Sequence, residues 1–220
     1  MKIGLTKIAK APLLALSLSL ATASAAQNVA LKQQQVDTFE YVNPISPKGT
    51  SSPYVLMEAP SPEVEIAGEK KLAAIVVDLS KNVLYKYNEF GFAEAAYLVA
   101  TGKKSTPTDT GVRVVKNIES YPYRTASKNT KRYKNPRDYG PKALILEIID
   151  PKTGKQTPTG EFIHGNNNPS SLGKYASKGC IRMDNEVIRE IASQVEKGDI
   201  VLIVSGGDEH DSAIDSEWFK

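Results

Sequence analysis

The chain has 220 residues, with 28 Lys/Arg against 25 Asp/Glu, for a formal charge of +3. Its first 25 residues hold three of the lysines and no acid, so the remainder balances at 25 against 25, and net charge gives no support to a nucleic-acid partner. A single cysteine excludes an internal disulfide; in an exported chain an unpaired one stands either for intermolecular pairing or for a free reactive thiol.

Lys2, Lys7 and Lys10 lead into an apolar run from Ala11 to Ala21, and Ala23-Ser24-Ala25 puts small residues where a leader is cut. Residues 1–25 therefore read as a secretory signal peptide cleaved after Ala25 or Ala26. The run is shorter than the roughly 20 residues that cross a bilayer, so no stable membrane span is expected after cleavage. No cysteine follows the cleavage site to carry a lipid. Residues 26–70 contain Gln33-Gln34-Gln35 and Pro44, Pro47, Pro53, Pro60 and Pro62. Proline at this density works against helices and internal strands, and the segment reads as an extended tether in which Tyr54-Val55-Leu56-Met57 is an apolar patch able to pack.

The texture changes over residues 71–205. Leu72–Leu79 and Asn82–Tyr87 read as a hairpin, followed by strands at Ala95–Ala100, Val112–Lys116, Ala143–Ile149 and Ile200–Val204. Many short strands with Gly/Pro punctuation predict a mostly β fold, a sandwich or barrel. One helix is expected from Asn185 to about Glu196, with Val187, Ile188, Ile191, Ala192 and Val195 on one face, Asp184 or Asn185 to cap it and Gly198 beyond its end. Residues 206–220 form an acidic tail. From Thr101 to Lys142 there are eleven Lys/Arg against three Asp/Glu, and from Glu186 to Lys220 three against nine. Both runs fit solvated surface. The sharper reading is that Tyr121–Lys142, with Tyr121, Tyr123, Tyr133 and Tyr139, overhangs a site for an acidic substrate.

The cysteine lies in SKGCIRM, Ser177 to Met183. A nucleophilic cysteine reacts as the thiolate and needs a base or a positive neighbour. Of the two histidines, His210 stands among Asp208, Glu209 and Asp211, whereas His164 follows Phe162-Ile163 and precedes Gly165, at a strand end suited to a cleft edge. His164 is the candidate base by elimination, sixteen residues before Cys180 across a loop rich in Asn, Ser and Gly. Gly179 permits a tight turn, and the N–H groups around Lys178, Gly179 and Cys180 could form an oxyanion hole before the helix. Arg182 could depress the thiol pKa, hold a carboxylate or brace the loop; either Ser177 or a backbone carbonyl could orient His164. The same residues also fit a buried, inert cysteine and an ordinary polar histidine. A zinc site would lack two protein ligands, and no metal is expected.

Taken together, His164-Gly165, the Asn-rich loop, Leu172-Gly173 and SKGCIRM resemble the signature of the L,D-transpeptidase catalytic domain, the YkuD-like family. The opening hairpin, Thr101-Gly102-Lys103 followed by Thr106-Pro107-Thr108-Asp109-Thr110-Gly111, Tyr139-Gly140-Pro141, and Gly198-Asp199 before the last strand are similar to further parts of it, over roughly residues 70–205. The resemblance implies a mostly β fold with a few short helices, one of them shortly after the cysteine. It also implies cysteine-dependent acyl transfer on peptidoglycan tetrapeptide stems, without cofactor or metal. By position, Cys180 is the nucleophile, His164 the base, Gly179 and Cys180 the oxyanion donors, and Arg182 a site residue. Lys178 stands where many members carry histidine. The implied setting is the periplasm or cell wall. Two other readings remain beside transfer to an amine: an L,D-carboxypeptidase with water as acceptor, and a non-catalytic wall-binding module. A sortase-like enzyme also uses Cys, His and Arg, but its arginine lies farther downstream on another strand.

Overall fold

The computed structural model describes residues 45–206; the expected signal peptide and nearly all of the acidic tail lie outside the described residues. Residues 26–44 of the expected tether also lie outside the described residues, while residues 45–72 include a short helix and a hairpin. Pro53 opens a short helix, α1 (Pro53–Met57), at a position where its missing N–H has no helical partner to lose. Glu63–Ile66 (β1) and Glu69–Leu72 (β2) pair antiparallel as a hairpin. Every residue of β2 is exposed, so the strand carries no apolar alternation to be read. Ile66 is buried, and Ile45, Val55, Leu56, Ala59 and Val64 pack on the core.

The remaining strands in chain order are β3 (Ile75–Asp78), β4 (Val83–Tyr87), β5 (Ala93–Leu98), β6 (Thr101–Gly102), β7 (Gly111–Ser120), β8 (Lys142–Ile149), β9 (Gln156–His164), β10 (Tyr175–Ser177), β11 (Ile181–Arg182) and β12 (Ile200–Val204). Short helices α2 (Lys131–Lys134) and α3 (Asn185–Gln194) complete the mostly β fold that the sequence predicts. Eight strands form one sheet in the order β11-β9-β8-β7-β12-β3-β4-β5, and β10 pairs with β6 apart from it.

Both faces of this sheet are buried. Along β3, Ile75 and Val77 enter one apolar cluster and Val76 the other; along β4, Leu84 enters the first, and Val83, Tyr85 and Tyr87 the second. This is the two-residue period of a strand with core on each side. The first cluster joins Leu144, Ile163 and Ile181 from one end of the sheet to Ile75, Leu84 and Tyr97 from the other, so the sheet curls around it. Its edges meet: Ala100, just past β5, and Arg182 of β11 exchange two backbone hydrogen bonds of 2.8 Å. Helix α3 packs Val187, Ile188 and Ile191 into the same cluster. Asp184 is its cap, the carboxylate accepting the Glu186 N–H at 2.8 Å and the Val187 N–H at 3.3 Å.

Candidate active site

The seam of the curled sheet is where the cysteine stands. β11 pairs parallel with β9, Ile181 opposite Ile163 and Arg182 opposite His164. Ile163 and Ile181 both enter the first core cluster. Since side chains alternate, Phe162 and His164 of β9 and Arg182 of β11 fall on the opposite face, and Cys180 immediately precedes β11. Cys180 and His164 are then one strand apart and two residues offset, a diagonal of about 8 Å between Cα atoms at ordinary strand spacing and rise. A cysteine and a histidine side chain span such a gap between them. At rest the two do not hydrogen-bond each other. The thiol lies 4.0 Å from the Gly160 carbonyl oxygen, and the imidazole Nδ1 contacts the Gly165 carbonyl.

The electrostatics give a neutral pair. His164 is 4% exposed. Burial lowers its pKa from 6.5 to about 4; the Gly165 and Tyr139 backbones favour the charged form and Arg182 opposes it. Burial also pushes the Cys180 thiol up, and Glu161 adds to this, while the Phe162 backbone, Arg182 and Lys131 pull it down without prevailing. Arg182 thus favours the thiolate, as one of its expected roles requires, yet desolvation outweighs it. Near neutral pH Cys180 is therefore a thiol rather than a thiolate.

Tyr139 roofs the imidazole, with ring centroids 4.8 Å apart, and meets Phe162 edge-on at 6.0 Å. The fully buried Tyr123 fixes it by donating its hydroxyl to the Tyr139 and Gly140 carbonyls, each at 2.9 Å. The basic, tyrosine-rich stretch therefore does reach the site. Its Arg132 lies 5.0 Å above the Phe162 ring, but that guanidinium is paired with Glu119 at 2.7 Å rather than left open to an anion.

The other expected residues have different fates. Ser177 is buried and does not orient His164; its hydroxyl accepts the Gly179 N–H at 3.1 Å, and backbone carbonyls hold the imidazole instead. The Gly179 N–H, expected as an oxyanion donor, is therefore already engaged. Lys178 is exposed, and Gly165 contributes its carbonyl. The Asn-rich loop is tied down by Asn166 and Asn185, the second of which the sequence marked only as a candidate helix cap. Asn166 donates its N–H to the Asn185 side chain at 2.9 Å and its amide to the Met183 carbonyl at 2.9 Å, and Asn185 returns a bond to the Asn166 carbonyl at 3.0 Å. Gly160, whose carbonyl faces the thiol, also escaped the sequence reading.

The sequence profile of the YkuD family, the L,D-transpeptidase catalytic domain, matches residues 73–203. This chain belongs to that family. Among curated relatives it is similar to YkuD of Bacillus subtilis strain 168, at 42% identity over 22% of this chain and 45% of the relative. It is also similar to YkuD of Bacillus licheniformis, at 33% identity over 40% of this chain and 70% of the relative. The chain thus spans less than half the length of the first and over two thirds of the second. A crystal structure of an Enterococcus faecium L,D-transpeptidase mutant aligns at 26% identity and a TM-score of 0.43, over 60% of this chain and 49% of that one.

Proposed function

We propose that this domain is an exported cysteine L,D-transpeptidase acting on peptidoglycan tetrapeptide stems. The observation that supports the reading is the parallel pairing of β11 with β9, Arg182 opposite a neutral His164, with Cys180 in the residue just before β11. In the first step the Cys180 sulfur bonds to the carbonyl carbon of the L-centre preceding the terminal D-alanine. The thiol proton passes to His164, where the Gly165 and Tyr139 backbones favour the imidazolium. The peptide C–N bond breaks, His164 returns the proton to the departing amine, D-alanine leaves and a thioester remains. An amine of a neighbouring stem then attacks the thioester, loses a proton through His164 and restores the thiol, leaving a 3–3 crosslink. With the Gly179 N–H held by Ser177, oxyanion stabilisation falls first to the Cys180 N–H. Each step uses side chains and main chain of this domain alone.

Disaccharide-tetrapeptide incubated with the protein should give crosslinked dimer and free D-alanine, and carbapenem should add one mass increment to the wild type and none to Cys180→Ala. Tripeptide without dimer would make the protein an L,D-carboxypeptidase using the same residues. Wall binding retained by Cys180→Ala, with no acylation of the wild type by either reagent, would make it a non-catalytic binding module.

A further inference from the structure

The Thr106–Gly111 segment has no part in the chemistry above, yet Thr108 is buried against the residue that precedes the nucleophile. Its hydroxyl accepts the Gly102 N–H at 2.9 Å, so its one proton is directed to the Gly179 carbonyl at 2.8 Å. The approach of Gly102 is so close that a Cβ there would lie 2.3 Å from the Thr108 nitrogen. The segment is held at further points: Thr106 donates its hydroxyl to the Ser177 carbonyl at 3.3 Å, and the fully buried Arg113 donates to the Asp109 carbonyl at 3.1 Å. Gly179 is thus fastened on both sides, its N–H by Ser177 and its carbonyl by Thr108, at a φ of +105° that disfavours any residue with a side chain.

The Gly179 carbonyl and the Cys180 N–H belong to one planar trans peptide and point in opposite directions. Resting on the transpeptidase reading, we propose that Thr108 is a positioning residue. By drawing the Gly179 carbonyl onto its hydroxyl, it turns the Cys180 N–H away from the 106–108 segment and toward the reacting carbonyl, as the donor that stabilises the oxyanion. Released from Thr108, the peptide after a glycine is free to rotate, and the donor loses its aim.

Two reactions of the same sulfur separate this role from simple support. Acylation by disaccharide-tetrapeptide develops an oxyanion; alkylation by iodoacetamide displaces iodide and develops none. Thr108→Val should lower kcat for D-alanine release by about 10- to 100-fold with KM held within about twofold, since the loss falls on the transition state. Its alkylation rate should stay within about twofold of wild type, and Thr108→Ser, which keeps the hydroxyl, should restore D-alanine release to within about threefold. Thr108→Ala is read in the same way if the valine variant does not fold. Release by Thr108→Val at the wild-type rate, or equal losses in release and alkylation, overturns the role of Thr108 alone. A wild type that forms no acyl-enzyme with tetrapeptide or carbapenem overturns the transpeptidase reading and this inference with it.

Discussion

His164 carries a pH dependence that its burial creates. The unfolded imidazole takes up a proton as pH falls through about 6.5, while the folded one stays neutral down to about 4. Acid therefore favours the unfolded chain: the penalty is absent above about pH 6.5 and reaches about 3 kcal/mol once pH is at or below about 4. Urea unfolding at pH 7 and pH 4 should show that His164→Asn loses less stability on acidification than the wild type, by about that amount; parallel losses in both proteins would contradict it. Under the proposed function the same neutrality sets the pH profile. The acid limb of kcat/KM should fall near pH 4 rather than near 6.5, and the alkaline limb should lie above the ordinary cysteine range because burial raises the thiol. At this scale the sequence singled out Cys180 and His164 as candidates, because there was one thiol and one histidine outside the acidic tail. Thr108 and Gly160 were not legible as site residues, because each acts on the site through a bond involving a backbone carbonyl, and a one-letter string does not record where a carbonyl points.

Helix α3 was legible almost to the residue, since Val187, Ile188 and Ile191 recur at helical spacing and Asp184 caps the start. Asp184→Ala removes acceptors for two orphan N–H groups and should lower stability by about 1 kcal/mol. For a domain of this size that is a fall of about 3 °C in Tm, read in a thermal melt. The Lys48–Asp184 ion pair, 3.2 Å long with Lys48 exposed, adds little to that figure. Under the proposed function, a loss of stability with D-alanine release preserved is the expected pattern, because the Asp184 carboxylate serves the helix N–H groups and Lys48. The hairpin β1–β2 was illegible for the opposite reason. With β2 exposed throughout, its sequence has no buried face, and the prolines around it suggested a tether.

Across the whole domain, Arg113 joins pieces that are distant in the chain. It is 1% exposed, pairs with Glu161 of β9 at 2.6 Å and reaches the Asp109 carbonyl of the loop that holds Gly179. Arg113→Met would leave Glu161, itself mostly buried, without its partner, and should cost about 3 kcal/mol in chemical denaturation. A variant as stable as the wild type would show that the pair is dispensable. Sequence alone determined several of the core strands, where the helix starts, and which sulfur and imidazole are available, because periodicity, capping and residue scarcity are local properties. Only the tertiary structure decided that the sheet curls until its edges meet at Ala100 and Arg182, that β11 lies parallel to β9 with Arg182 opposite His164, and that burial leaves Cys180 and His164 neutral. Register and desolvation depend on which distant segments pack together, and that is set by the closure of one core around residues from both ends of the sheet.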